Sequence, residues 1–516
     1  MTARDLSPFR GVKLSALLCI GALWMLTLVG CGGDQPPAAA HRPERHPPVI
    51  VVSFDELSTT SLVGADGKID SARYPNFAAL ARHADWFPYA TAPADETPRA
   101  MGALLTGSLP GRGLKPTSRQ MPRNLFTLLG DKRYRIDSSE EVTSLCPRRL
   151  CPHVEAQNQR SVLHELGTGR PQRFQRWVRS IRATRKPTLY FKHVLMPHAP
   201  WVYLPSGQQT VRGPEPIPEW GHAFGVGWVS TLKYQRHLLQ LGYVDRLLGS
   251  AIARLKSQGL YDRSIIVVTA DNGESFGRVD NGHEISAKNF GDLALTPLFI
   301  KRPFQQRGAA PTRHVRTADV VPTIASLTHL KIPYRVGGHS IYGPGSRLIP
   351  SRTVVYQRSG RRYTLTAVGL RRWAKGAQRL KLGLFGSGGA APGIYGVGPY
   401  RRLVGTPAAR WNPAPAGLTR ATLNDPGAYR SVRPSSSFVP TYVTGRLRQP
   451  GGAPPRAVAI AINGQIVATS PTFKTPAGED LYYAALVPPS ALRAGANTVS
   501  LFAVSGSANA PGLRKL

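Results

Sequence analysis

The sequence predicts an α/β domain with a mostly parallel central sheet flanked by helices, followed by a small all-β domain at the C-terminus. Three observations carry that prediction. Between residues 48 and 345, apolar runs of strand length alternate with helix-like segments, as in a chain that builds a parallel sheet through helical crossovers. Two of the runs, PVIVVSFD and SIIVVTAD, are nearly continuous and β-branched, the composition of strands buried on both faces. Beyond about residue 350 the alternation gives way to frequent Pro and Gly and short β-type runs.

At the N-terminus Arg4, Arg10 and Lys13 precede the apolar run LSALLCIGALWMLTLVG, which ends at Cys31 in LVGC. A charged segment before an apolar run of this length has the form of a secretory signal. LVGC resembles the bacterial lipobox, whose Cys is lipid-modified after cleavage; the alternative is that residues 1–31 stay as an uncleaved membrane anchor. Either way the rest of the chain is expected on the outer face of the cytoplasmic membrane, in the cell envelope. Residues 32–47, GGDQPPAAAHRPERHP, lack apolar periodicity and predict an extended tether. Cys19 lies in the apolar run, so Cys146 and Cys151 in CPRRLC are the pair left in the exported part, where a disulfide is expected rather than a zinc site.

Residues 48–345 hold four runs that predict strands: 48–55, 188–195, 264–271 and 296–301. The first and third each stop at an acid, Asp55 and Asp271, and in open α/β sheets ligands bind beyond the carboxyl ends of the strands. A helix is predicted from Leu232 to Leu260, because Leu238, Leu241, Val244, Leu248, Ile252 and Leu255 recur at spacings of three and four. Residues 346–435 read less clearly, as strands of their own or as a segment packed on the first domain. Residues 436–516 predict a small β-sandwich, with Asn-Gly in INGQIV marking a hairpin.

The stretch ADETPRAMGALLTG poses the chemical question. Thr97 before Pro98 suits a helix start, since Thr caps exposed amides and Pro fits the first helical position. It also suits a nucleophile if a cation lies nearby. Two Asp at neighbouring strand ends, the Asn272 carbonyl and the Thr97 hydroxyl would form an oxygen-rich site for a hard divalent ion.

VIVVSFDEL, PNFAALARHADWFPYATAPADETPRAMGALLTG, HVLMPHAPW, VVTADNGESFG and TADVVPTIASL, in that order, are similar to the sulfatase-like branch of the alkaline phosphatase superfamily. The resemblance covers residues 48–345 and implies an alkaline-phosphatase-like fold with one divalent ion, Ca, Mg, Mn or Zn. It implies that Asp55, Glu56, Asp271 and Asn272 are metal ligands, that Thr97 occupies the nucleophile position, and that His198 contacts the substrate or leaving group. Arg99, His193, His283 and Asn289 are candidate substrate-binding residues, and Glu284 adjoins them. Asp319, in the family-like DxxPT pattern, is read as a helix cap. DNGH at 280–283 has the wrong spacing for a second metal, and the Asn beside Asp271 leans toward calcium.

The family's sulfatases carry Cys or Ser in C/S-x-P-x-R, the residue that is oxidised to formylglycine. The aligned residues here are Thr97, Pro98, Arg99, Ala100 and Met101, and Thr cannot give that aldehyde. A Thr nucleophile instead resembles the phosphoethanolamine and phosphoglycerol transferases of the same superfamily. The expectation is a metal-dependent hydrolase or transferase acting on sulfate or phosphate esters of a lipid head group, wall polymer or glycan. The rival is a non-catalytic cell-surface binding protein that keeps the fold. The net charge of +37 is spread along the chain without a nucleic-acid-binding motif, so no nucleic-acid partner is expected and anionic surface partners are.

In cells fed a clickable fatty acid, the lipobox reading predicts a labelled chain that loses its label in Cys31→Ser. An unlabelled chain of full mass would instead mark the apolar run as a retained anchor.

Overall fold

In the computed structural model, residues 46–111, 113–152, 166–167, 169–212, 227–277, 285–388, 393–415, 417–449, 454–475 and 478–516 are described. The apolar segment, Cys31, most of the tether, His283 and Glu284 lie outside them. Among the described residues no helix is long and apolar enough to cross a membrane.

The centre of the fold is β1 (Val49–Asp55), all of whose residues are buried. In chain order there follow β2 (Asp85–Phe87), the short β3 (Ala90–Thr91), β4 (Arg135–Ser139), β5 (Thr188–Pro197), β6 (Ile265–Ala270), β7 (Leu298–Lys301) and the short β8 (Val315–Arg316). Six of these form one sheet in the order β2-β7-β6-β1-β5-β4, while β3 pairs with β8. β6, β1, β5 and β4 run parallel, and β7 and β2 add an antiparallel edge. A mostly parallel sheet is therefore observed.

Helices cover both faces, which is why the central strands are apolar without alternation. On one face Ile50, Val52 and Phe54 of β1 pack with Phe77 of α1 (Pro75–Ala81) and with Leu241, Val244 and Leu248 of a long helix, Gly227–Ser257. On the other, Val49 and Val51 pack with Leu104 and Leu105 of α2 (Thr97–Thr106), with Leu125 and Phe126 of α3 (Leu125–Gly130) and with Ile324 of a helix at Val320–Leu327. Successive strand residues point to opposite faces. Extending that alternation puts Asp55 and, at the end of β6, Asp271 on the α2 side. Leu189 and Phe191 of β5 and Ile136 of β4 pack in or against the same cluster, so His193 and Glu140 fall on that side too.

Among the remaining helices, α4 (Arg170–Ser180) and α5 (Gly227–Ser257) lie on the first face. α5 ends three residues before the predicted Leu260. Gly259 takes a left-handed φ of 63° and Leu260 N–H turns back to the Leu255 carbonyl at 2.8 Å, so Leu260 returns to the core from outside the helix. α6 (Phe290–Ala294) packs beside the Asn272–Glu274 turn, and α7 (Val320–Leu327) closes the second face. Asp319 occupies the N-cap position of α7 without bonding its first-turn amides, and caps instead the 3-10 turn Thr317–Asp319 that leads into it. Its carboxylate accepts from Arg316 N–H and guanidinium, both at 2.8 Å, and from His339 N–H at 2.9 Å.

The region that read least clearly holds the hairpin β9–β10 (Arg352–Tyr356 and Arg362–Thr366) and α8 (Ala367–Phe385). Tyr356 bridges back to Ala94, and Trp373 Nε1 donates to Asp292 Oδ1 at 2.7 Å, so this region packs on the first domain. Two four-stranded antiparallel sheets follow, starting at Arg420–Ala421 and ending at Pro511–Lys515. Val443, Leu447 and Tyr483 of one sheet meet Val458, Ile460 and Leu501 of the other in a shared core, a sandwich. Residues 43–516 form one compact unit.

The far edge of the sheet carries a buried ion cluster. Lys192, with no solvent exposure, pairs with Glu141, whose other oxygen accepts from Arg173 at 2.9 Å. Breaking such a buried pair leaves an uncompensated charge. Glu141→Gln is expected to lower the unfolding free energy by roughly 3 kcal/mol in urea titrations, and an unchanged midpoint would show the cluster to be energetically neutral.

Candidate functional site

Asp55 and Asp271, at the ends of adjacent strands, converge with His193 from within the neighbouring β5. One carboxylate oxygen from each Asp and one ring nitrogen of His193 lie within 4.8 Å of one another, and a second group of the same size joins Asp55 to Glu56 and His198. Asp55, Glu56, Asp271 and Asn272 are at most 2 % exposed, and His198 is 7 % exposed.

Asp271 Oδ1 is fixed by backbone amides, Glu56 N–H at 3.2 Å and Asn272 N–H at 2.6 Å. Its Oδ2 is buried without a hydrogen-bond partner among the described residues, and so is Asn272 Oδ1, while the Asn272 amide nitrogen donates to the Gly273 carbonyl at 2.9 Å. Burial, and then the neighbouring Asp55 carboxylate, push the Asp271 carboxyl up to about 8. Two desolvated carboxylates, one with a bare oxygen, together with the bare Asn272 amide oxygen are a donor set that suits a cation, so the residues present fit the metal the resemblance implies.

Local backbone geometry sets this arrangement. Glu56 adopts φ 60°, a left-handed conformation that costs a non-glycine residue of order 1 kcal/mol. That turn aims the Glu56 amide at Asp271, while Glu56 Oε1 lies 3.3 Å from His198 Nε2. Gly273 is required beyond Asn272, because a Cβ there would lie 2.2 Å from the Asp292 carbonyl oxygen.

Thr97 is the first residue of α2, and Glu96 holds the cap position without a side-chain cap. The Thr97 hydroxyl therefore does not cap its helix. Oγ1 donates to Asp55 Oδ1 at 3.3 Å and also reaches Asp271. Thr97 is half-buried, so its oxygen stands at the boundary between the buried acids and solvent.

His198 is held through its main chain. Its N–H donates to the Asp55 carbonyl at 3.1 Å, and its carbonyl accepts from Arg170 Nη1 at 2.6 Å and Gln240 Nε2 at 3.0 Å. Nδ1 donates to the Ala199 carbonyl at 2.6 Å, which turns Nε2 toward Glu56. Neither Arg170 nor Gln240 carries a sequence signal, because both act on backbone brought together by the fold.

His193 has no solvent exposure, and its Nδ1 lies 3.0 Å from Glu140 Oε1. Burial lowers the tendency of His193 to charge, but Glu140, Asp55 and Asp271 outweigh it and raise the imidazole to about 9. Glu140 is not marked by the sequence patterns above, although it follows strand RIDSS just as Asp55 and Asp271 end theirs; the strand's weaker apolar character hides the signal. Asp95, likewise unmarked, is pushed up to about 6 by burial.

Arg99 and Asn289 are engaged elsewhere. Arg99 Nη1 donates to the Gln357 carbonyl at 2.7 Å, and the side chain helps line a cavity along α2. Asn289 is buried, and its Oδ1 accepts from Ser286 N–H at 2.7 Å at the start of α6. The Cys146–Cys151 disulfide is present and closes the loop that follows Glu140 and Glu141.

Comparison with known proteins gives the following. Residues 47–330 match the family model described as Sulfatase. An ulvan-active sulfatase of Formosa agariphila is 23% identical over 160 residues, 30% of this chain and 31% of that protein. A lipoteichoic acid synthase of Staphylococcus aureus is 30% identical over 121 residues, 21% of this chain and 18% of that protein. The chain thus spans less than a third of the length of these curated relatives. Among solved structures, a phosphonate monoester hydrolase from Silicibacter pomeroyi aligns with a TM-score of 0.43 at 16% identity, covering 65% of this chain and 95% of that one.

The acid pair has a pH signature. Asp271 and His193 both bind protons more tightly folded than unfolded, so their stabilising contributions are full below the unfolded values of 3.8 and 6.5 and are lost as pH rises through about 8 and about 9. In a chelator, the melting temperature is expected to fall as pH rises across that range. A divalent cation should raise it most at the alkaline end, where both groups are deprotonated. A melting temperature that is flat in chelator, with no cation effect, would contradict this.

Proposed function

We propose, from the premise that this chain belongs to the sulfatase family, that it is a metal-dependent hydrolase or transferase of sulfate or phosphate esters at the cell surface, with Thr97 as its nucleophile. The observation that carries this reading is the Thr97 hydroxyl, directed from the start of α2 onto Asp55 at 3.3 Å while its residue stays half-exposed. A helix-capping Thr would have turned the other way.

Asp55, Asp271 and Asn272 would hold the divalent ion, with Glu56 beside them. When bound, such an ion supplies positive charge that favours the Thr97 alkoxide and offsets charge on the transferred group. The chain's own residues do the rest. Thr97 Oγ1 gives up its proton along the hydrogen bond to Asp55 and forms a bond to sulfur or phosphorus. The ester bond on the opposite side breaks, and His198 Nε2, paired with Glu56, delivers a proton to the departing oxygen. Water or an acceptor hydroxyl then displaces the group from Thr97 and restores it. The first acceptor makes the protein a hydrolase and the second a transferase.

Anionic substrates suit the surroundings. The cavity along α2, of about 230 Å³, is lined by Arg99, Arg123 and Arg335 together with Tyr334. Esters of a lipid head group, wall polymer or glycan fit this charge and fit a chain tethered through its N-terminus to the envelope.

Incubation with aryl phosphate and aryl sulfate, followed by peptide mapping, is expected to place a covalent adduct on Thr97, and the ester that leaves it identifies the transferred group. Thr97→Ala should abolish the adduct and lower turnover by at least about a thousandfold. Lack of any adduct in a metal-loaded, folded protein would favour a binding role instead. His198→Ala is expected to slow alkyl esters about a hundredfold or more while leaving nitrophenyl esters, whose leaving group needs no proton, nearly unchanged. Equal losses on both would remove His198 from the acid role.

A further inference from the structure

The ion named by this reading has a nitrogen donor waiting beside it. His193 stands opposite Ser53 in the β1–β5 register, on the face where Asp55 and Asp271 end their strands. Its Nδ1 faces Glu140 Oε1 at 3.0 Å. The same oxygen accepts the backbone N–H groups of Glu141, Val142 and Thr143 at 3.1, 2.8 and 3.0 Å. An oxygen surrounded by donors is an ionised acceptor, so Nδ1 carries a ring proton and donates it. Nε2 is buried and has no hydrogen-bond partner among the described residues, and it presents a lone pair once an incoming ion displaces the proton that the metal-free ring holds there.

A carboxylate that orients one ring nitrogen while the other meets the ion is the arrangement that fixes the tautomer and raises the basicity of a ligating histidine. A ring nitrogen of His193 and a carboxylate oxygen from each Asp lie within 4.8 Å of one another, a gathering that calls for a cation or a proton between them. We propose that His193, aimed by Glu140, is a nitrogen ligand of the ion that Asp55 and Asp271 hold, and that the site therefore selects a transition-metal ion such as zinc over calcium.

This rests on the metal-dependent reading above and moves His193 from a candidate substrate-binding residue to a ligand of the ion. It also decides between ions that the sequence left open. Asp55, Asp271 and Asn272 alone supply oxygen only, which suits calcium or magnesium, whereas an imidazole suits zinc and its neighbours. Glu140 becomes a positioning residue, acting on the ion through His193. The buried Lys192–Glu141–Arg173 cluster holds the turn on which Glu140 sits.

The test is metal binding by the chelator-stripped full chain in detergent, with zinc and calcium titrated separately and X-ray absorption recorded at the zinc edge. The wild-type protein is expected to bind zinc at least about a hundredfold more tightly than calcium and to show imidazole scattering. His193→Ala should lose that imidazole and about a hundredfold or more in zinc affinity, with calcium binding little changed. Glu140→Gln, which keeps an acceptor but removes its charge, should cost zinc about ten- to a hundredfold. His198→Ala should keep the imidazole signal. Circular dichroism checks that each variant is folded; if His193→Ala is not, Glu140→Gln and the wild-type spectrum decide. Zinc affinity and imidazole scattering unaltered in the His193 and Glu140 variants would overturn the assignment while leaving the metal-dependent reading intact. A folded wild-type chain that binds neither ion would overturn both.

Discussion

The constraint on which this structure turns is the burial of two carboxylates, Asp55 and Asp271, side by side at the ends of neighbouring strands. Each desolvated charge is costly, and the pair adds mutual repulsion. The fold meets that cost partly with fixed donors: two backbone amides on Asp271 and the Thr97 hydroxyl on Asp55. The remainder is left for a positive charge to offset. A site of this kind is unstable as an ornament and coherent as a cradle for an ion.

The surrounding elements follow from holding that pair in place. Four parallel strands, covered on both faces, give Asp55, Asp271, His193 and Glu140 a common side by alternation alone. The strained Glu56 turn and the glycine at 273 allow the chain to leave β1 and β6 in tight quarters. α2 starts directly above, so its first hydroxyl meets the acids instead of closing its own helix. Arg170 and Gln240 spend their hydrogen bonds on the main chain around His198, fixing a catalytic candidate without touching its ring. The ring is left with one nitrogen committed to a carbonyl and the other to Glu56.

Much of this is legible in the order of the amino acids. The continuous apolar runs that end in Asp announce central strands and a site at their carboxyl ends, because burial on both faces leaves few residue types possible. The long helix is legible from its stripe, but its end is not: Leu260 keeps the apolar spacing although Gly259 has already turned the chain. Thr97 can be read two ways, since a helix start and a nucleophile ask for the same residue type, and only the direction of its hydroxyl separates them. His193 looks like a pocket or core residue because its partner, Glu140, lies 53 residues away, just past a strand that pairs with its own. Register, which composition does not encode, joins them. Asp319 matches a helix-start pattern and sits at one, but it closes the 3-10 turn before the helix, through Arg316 N–H, while His339 takes its other oxygen.

The central claim is that the Asp55–Asp271 pair is an ion site within reach of the Thr97 hydroxyl. Its most direct test is a crystal structure of the chain grown with manganese, with anomalous scattering recorded to locate the ion. The account predicts an anomalous peak about 2 to 2.5 Å from oxygens of both Asp55 and Asp271, with Thr97 Oγ1 facing it. Manganese bound elsewhere, or the two acids closed on each other around a proton with no peak between them, would contradict it.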